Sequence, residues 1–373
     1  MAKALLVTSS FIPGQGGIES YLAEPCAALS PHLAVLAPSH RDGKPLPADL
    51  PYPTTGMPAR LLIPGPPTIA AIKRALHEHS SDKVLFGTPW PLALLGPSLR
   101  RSGIHYGVIV HAAETLVPGA APGVGRALAH ALAGADLLLA VSDYTAGEVE
   151  KLLARRALVP PPTHVLRAKV DLNRWRPDVD TRPVQAMLGL GDRKMVLTLG
   201  RLTPRKGVHR LIRAWPAIAQ RAPEAILVVA GRGPEEARLR RMARRAEIPA
   251  VFTGRILEQD APALFASASV FTLPVSDRWF GFDVEGLGVA LLEASACAVP
   301  AVAGRSGGTP EAVIDGATGY VIDARDTGAL ADRVVKLLGD PDLAHRMGGA
   351  GRRHVSRVFS DRSPPQALIE WLD

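Results

Sequence analysis

Cysteine is nearly absent from this chain: there are two, Cys26 and Cys297, in 373 residues. They fall in different halves, each in a segment read as helix, so a disulfide framework is excluded and a reducing compartment is expected. Long apolar runs are missing too, and none reaches the roughly 18 residues needed to cross a bilayer. The opening MAKALLVTSS lacks the small-residue cleavage site of a signal peptide and reads as a buried first strand, which predicts a cytoplasmic protein. Aromatic residues make up only 5%. With no common nucleic-acid-binding motif beside them, they argue against a nucleic-acid partner. The histidines and cysteines show no zinc-ligand spacing, so no metal is expected.

What the chain does have is positive charge, +8 in all, and this calls for a polyanionic partner or surface. An anionic membrane fits better than nucleic acid. Arg238, Arg240, Arg241, Arg244 and Arg245 cluster on one expected helix, with Arg352 and Arg353 as a second group; such clusters make peripheral contact with acidic lipid. Solvated helix faces account for the same residues equally well.

A chain of this length suits two domains. Short apolar strands alternate with helical stretches twice over, which predicts two doubly wound parallel sheets of Rossmann-like α/β type. The first set is ALLVTS, HLAVLAP, RLLIP, KVLFGT, HYGVIVHA, DLLLAVS and THVLRAKV; the second is KMVLTLG, AILVVAG, VFTGR, VFTLP, AVAG and GYVID. The break falls in RWRPDVDTRP, where prolines and charges interrupt the pattern. The expected boundaries are 1–176 and 177–357, followed by a C-terminal segment 358–373.

The most informative stretch is DVEGLGVALLEASACAVP, Asp283 to Pro300. Two turns of helix separate Glu285 from Glu293, and the spacing of eight brings their side chains back to roughly one face, about 12 Å apart along the axis. Carboxylates so placed accept hydrogen bonds from vicinal diols. Gly286 and Gly288 leave first-turn N–H groups open to a phosphate or sugar hydroxyl. An ordinary amphipathic helix, its apolar face made by Val289, Leu291, Leu292 and Ala296, explains the stretch as well.

Three more places carry candidate chemistry. GRLTPRKG follows the strand MVLTL and puts Arg201 and Lys206 where ligands collect in open α/β sheets, cations suited to a diphosphate; Arg205 beside them blurs the assignment. FIPGQGGIESYL sets Gly16 and Gly17 before the first helix, permitting close approach of a phosphate. His111 ends the strand HYGVIV, with Glu114 three residues on. Asp178 and Asp180 spell an Asp-x-Asp pattern, but in a proline-rich linker and not after a strand, so it is read as coincidence.

FGTPWPLALLGP, GRLTPRKG, DVEGLGVALLEASACAVPAVAGRSGGTPEAV and MGGAGRRHV together make the chain resemble the retaining glycosyltransferases of family 4. Within that family the likeness is to the actinobacterial mannosyltransferases that act on phosphatidylinositol mannosides with GDP-mannose. It runs along nearly the whole chain and is tightest from Lys194 to Asp323. The resemblance implies a GT-B fold, with the active site in the cleft between the two domains and the C-terminal helix packed back on the first. It implies a nucleotide sugar, GDP-mannose first, as substrate, with no cofactor, and a hydroxyl acceptor such as an inositol phospholipid.

By the same resemblance Arg201 and Lys206 hold the diphosphate, and Glu285 meets the sugar hydroxyls beside the backbone of Gly286, Leu287 and Gly288. Glu293 takes the ribose diol. The base lies against Thr253 to Arg255 with Gly231 and Gly233 nearby. Gly16 and Gly17 lie over the diphosphate and sugar, and His111 contacts the sugar near its reacting carbon. The chain departs from the pattern at Arg167, Ala168 and Lys169, and at SDRWFGF, where Trp279, Phe280 and Phe282 replace a glycine-rich basic loop. A different nucleotide sugar with a soluble acceptor stays open, as does an inert nucleotide-sugar-binding protein.

Overall fold

The computed structural model describes residues 2–14, 16–41, 43–361 and 363–373. The chain divides into two compact units, Met1–Lys169 with Arg362–Asp373, and Val170–Asp361. The division falls at 169/170, ahead of the proline-rich stretch 174–183. That stretch belongs to the second unit, where Trp175 packs edge-on to Phe265 with ring centroids 5.5 Å apart.

The first unit holds strands β1 (Ala4–Val7), β2 (Leu33–Pro38), a small antiparallel pair β3 (His40–Arg41) and β4 (Lys44–Pro45), β5 (Thr54–Met57), β6 (Lys83–Phe86), β7 (His105–Val110), β8 (Leu137–Ala140) and β9 (Thr163–Val165). Seven of them form one parallel sheet in the order β5-β2-β1-β6-β7-β8-β9. Its central strands are apolar along their whole length because helices cover both faces of a parallel sheet. Val7, for example, is flanked in register by Leu36 and Phe86. Leu5, Val7, Val84, Phe86, Val108 and Leu138 pack with the helical residues Ile72, Leu128, Leu132, Val149 and Leu153 in one core. Each such side chain contributes about 1.5–3 kcal/mol on leaving water.

One expected strand fails. RLLIP, residues 60–64, is irregular, and β5 at Thr54–Met57 takes the edge position. Only Leu62 of the three apolar residues is buried, and its N–H donates to Ser9 Oγ at 2.8 Å instead of joining a ladder.

The terminal helix Gln366–Leu372 belongs to this unit. Leu368 and Leu372 are buried, and Lys83 Nζ donates to the Trp371 carbonyl at 2.6 Å.

The second unit holds β10 (Lys194–Leu199), β11 (Ala225–Ala230), β12 (Ala250–Gly254), β13 (Val270–Leu273), β14 (Ala301–Gly304) and β15 (Gly319–Ile322), all parallel, in the order β12-β11-β10-β13-β14-β15. The core gathers Val196, Leu227 and Val302 under Leu211, Trp215 and Ile218 of the helix Val208–Arg221 and Leu330 and Val334 of the helix Thr327–Gly339.

Each sheet reverses its strand order once, at β1/β6 in the first unit and at β10/β13 in the second. At such a point successive connections leave the carboxyl ends in opposite directions and open a crevice.

Candidate functional site

In the second unit the loop after β10 and the loop after β13 meet at that crevice. Lys206 Nζ lies 2.8 Å from Glu285 Oε2, and Arg205 Nη1 lies 3.3 Å from the same oxygen. Arg205 also pairs through Nε with Asp283 at 3.1 Å and donates to the Val284 carbonyl. Burial alone would raise the Glu285 pKa, but Lys206 and Arg205 hold the carboxyl below its ordinary value. It is therefore ionised although only 8% exposed. Arg201, at the end of β10, is exposed and has no side-chain partner among the described residues.

The peptide of Glu285 is clamped by the loop after β14. Its N–H donates to Ser306 Oγ at 3.0 Å, and its carbonyl accepts from Gly308 N at 3.0 Å. Gly307 permits this approach. It sits at φ +51, and a Cβ there would come within 1.9 Å of the Glu285 carbonyl oxygen.

The helical rotation expected to relate Glu285 to Glu293 does not occur. The helix spans only Val289–Ala296, entered through Gly288 at φ 84. Glu285, Gly286 and Leu287 lie in the preceding loop, so the first-turn amides begin at Val289. A left-handed glycine is the physical reason: at φ 84 Gly288 lies outside the right-handed helical region, so no helix continues back through it to Glu285. Glu293 is inside the helix, partly buried, with no hydrogen-bond partner for its carboxyl among the described residues. Burial pushes its pKa up to about 7, with Arg174 opposing and Glu258 adding to the rise.

The strand ends beside Glu285 are tightly packed. A Cβ at Gly231 would lie 2.1 Å from the Gly200 carbonyl oxygen, and one at Gly233 would lie 2.3 Å from that of Leu202. Thr253 Oγ1 donates to the Gly254 carbonyl at 3.0 Å at the end of β12, and Arg255 next to it is exposed.

In the first unit His111 follows β7 and stands at the N-cap of the helix Ala112–Ala120. Its Nε2 is 3.0 Å from the carbonyl oxygen of Gly87, which follows β6, so Nε2 carries the proton and donates. The Tyr21 ring meets it edge-on at 5.5 Å. Burial lowers the His111 pKa against the opposing pulls of Glu114 and the Gly87 carbonyl. The imidazole is thus neutral, with Nδ1 left as an acceptor. Gly16 caps the helix Gly17–Ala28. Around Gly17 a Cβ would meet nothing within 4 Å, so its surroundings are open.

The basic groups divide. Arg238 and Arg240 turn to Glu235 and Glu236, while Arg241, Arg244 and Arg245 are exposed. Arg352 is half-buried and engaged by the fold: it donates to the carbonyls of Trp175 (2.9 Å), Leu172 (3.4 Å) and Ala296. Asp178 and Asp180 pair with Arg176 (3.6 Å) and Arg182 (2.9 Å). Among the described residues no group of three His, Cys, Asp or Glu side chains is placed to hold a metal ion, and no helix is long and apolar enough to cross a membrane.

Residue type and spacing do not single out Asp283 or Ser306, and they leave Arg205 ambiguous. Asp283 had one visible signal, an acid two residues before another in a glycine-rich loop. Ser306 had only the glycine pair that follows it.

Residues 185–354 match the family model for glycosyl transferases group 1. The chain is 40% identical over 378 residues to a GDP-mannose-dependent alpha-(1-6)-phosphatidylinositol monomannoside mannosyltransferase of Mycolicibacterium smegmatis, covering 99% of this chain and 97% of that protein. It is 34% identical to the GDP-mannose-dependent monoacylated alpha-(1-6)-phosphatidylinositol monomannoside mannosyltransferase of Corynebacterium glutamicum, over 96% of this chain and 94% of that one. Among solved structures, Anabaena Alr3699/HepE in complex with UDP and glucose superposes with a TM-score of 0.81 at 21% identity, covering 100% and 99% of the two chains. Two Rossmann-like parallel-sheet units are the architecture of the GT-B glycosyltransferases.

Proposed function

The chain belongs to the glycosyl transferases group 1 family and is a hexosyltransferase, and from that premise we propose that it moves mannose from GDP-mannose to a hydroxyl of a phosphatidylinositol mannoside lipid, with retention and without a metal ion. The observation that carries the reading is the Lys206–Glu285 pair at the β10/β13 crevice, beside an unpaired Arg201, in a chain so similar to the mycolicibacterial enzyme.

In this reading Arg201 and Lys206 receive the diphosphate. Two side-chain cations take the place that a divalent ion has in other phosphate sites. Glu285, held ionised, accepts from the sugar hydroxyls, with the backbone of Gly286, Leu287 and Gly288 alongside. Glu293 accepts from the ribose diol; two donors replace the water it has lost and favour its ionised form. The base lies along Thr253 and Arg255, by the backbone turns at Gly231 and Gly233. Gly16 and Gly17 leave room over the diphosphate and sugar, and His111 offers its neutral face near the reacting carbon.

The bond between the anomeric carbon and the diphosphate oxygen breaks, and the acceptor oxygen forms its bond on the same face. The hydroxyl proton passes to the departing phosphate oxygen. Arg201 and Lys206 stabilise the charge that grows on GDP, and Glu285 the positive charge on the sugar ring. The enzyme works at a membrane surface, as a lipid acceptor requires.

Release of free sugar from a panel of nucleotide sugars, without acceptor, tests the donor. GDP-mannose should be consumed fastest. Consumption of a UDP-sugar in its place would contradict the reading.

A further inference from the structure

Between β13 and Glu285 the chain makes a closed excursion with an unfavourable tip. Arg278 and Asp283 form an antiparallel bridge, Arg278 N donating to the Asp283 carbonyl at 3.0 Å and Asp283 N to the Arg278 carbonyl at 3.2 Å. At the tip three successive residues have positive φ: Trp279 at 50, Phe280 at 56 and Gly281 at 89. Glycine takes that conformation freely, but an aromatic residue takes it at a cost. Packing does not offset the cost, because Trp279 is 56% exposed and Phe280 103%.

Yet the loop is well anchored. The Arg278 guanidinium lies 5.1 Å over the Trp279 ring and 3.5 Å from Asp283. Asp283 is held in turn by Arg205, and Arg325 Nη2 donates to the Asp277 carbonyl at 3.1 Å. Both aromatics, Arg278 and Arg325 line one open depression of about 660 Å³, together with Gly281 and a single acid, Asp277. An apolar pair carried on a strained backbone and flanked by two cations is suited to a partner that is apolar inside and anionic at its surface.

We propose that the loop 277–281 docks on an anionic lipid bilayer. Trp279 and Phe280 enter the boundary between headgroups and acyl chains, and Arg278 and Arg325 meet lipid phosphates. The proposal deepens the lipid-acceptor reading and rests on it only for the presence of a membrane beside the enzyme.

The test is co-sedimentation of the full chain with phosphatidylcholine vesicles made with and without phosphatidylinositol. Wild type should bind the phosphatidylinositol vesicles more tightly, and less so as salt rises. Phe280→Asn and Trp279→Ser should each weaken binding by at least about tenfold, the weight of one aromatic side chain withdrawn from water. Because asparagine tolerates positive φ, Phe280→Asn should also melt no lower than wild type. Acceptor-free hydrolysis of GDP-mannose should be unchanged in both variants. Quenching by brominated acyl chains should fall in Trp279→Phe.

Equal vesicle binding by wild type and both variants overturns the proposal, as does loss of hydrolysis in the variants, which would make the loop a lid on its own site. Loop-dependent binding with no transfer to lipid would sustain the proposal and sink the acceptor reading alone.

Discussion

Lys206 Nζ stands 2.8 Å from Glu285 Oε2, so the cation proposed for the donor diphosphate is already paired with the carboxylate proposed for the sugar. An ammonium has three protons to donate. One holds Glu285, and two remain for phosphate oxygens. Arg205 adds a second cation at 3.3 Å and keeps Glu285 ionised when Lys206 turns toward the ligand. The pairing orders both groups before the donor arrives, which lowers the reorganisation needed at the moment of reaction.

Lys206 and Arg201 should therefore separate in a stability measurement while agreeing in a kinetic one. Lys206→Ala and Arg201→Ala should each lower turnover by about a hundredfold. Lys206→Ala should also cost about 2 kcal/mol of stability, since it strips one partner from a buried carboxylate. Arg201→Ala, at an exposed and unpaired position, should stay within about 0.5 kcal/mol of wild type. Thermal melting and steady-state rates check both. Equal melting temperatures in the two variants would contradict the pairing.

Glu293 gives a pH dependence of definite sign. Its folded pKa of about 7 stands above the ordinary 4.5, so between these values the folded state holds a proton that the unfolded state has lost. Stability from this group is full at low pH and falls as pH rises through that window. Glu293→Gln should thus melt higher than wild type at pH 8, with the gap closing toward pH 4.5. GDP binding by wild type should strengthen as pH rises through 7, and by the variant it should not. A gap independent of pH would show that the carboxyl is not buried as described.

Two glycines should behave oppositely. Gly307→Ala drives a Cβ to 1.9 Å from the Glu285 carbonyl oxygen at φ +51. It should cost more than about 2 kcal/mol and move Glu285, lowering turnover with it. Gly17→Ala meets nothing within 4 Å and should leave melting unchanged, while weakening donor binding if a phosphate passes close to that helix start. Unaltered GDP affinity in Gly17→Ala would remove the first-helix loop from the proposed donor site.

The parallel strands were readable because burial on both faces writes itself as a continuous apolar run, as in AILVVA of β11, buried along its whole length. RLLIP looked the same and was not a strand, because Leu61 and Ile63 face outward and only Leu62 is covered. Thr54–Met57, an edge strand with half-buried positions, had no apolar run to reveal it.

The cations and carboxylates of the candidate site were visible as residue types after strand ends, but their pairing was not. Spacing along DVEGLG suggested a helix face, and the left-handed Gly288 breaks the period on which that argument depends. Arg352 looked like surface charge because composition records a guanidinium and not the three carbonyls that surround it.

Incubation of the protein with GDP-mannose labelled in the sugar and with phosphatidylinositol monomannoside in detergent, followed by tracing of the label, shows where the mannose goes. Transfer to the lipid is expected, with an α-linkage in the product and about a hundredfold less of it from Arg201→Ala. Label that stays as GDP-mannose while a UDP-sugar is consumed, or that passes to a water-soluble acceptor and never to lipid, would rule out a mannosyltransferase acting on phosphatidylinositol mannoside.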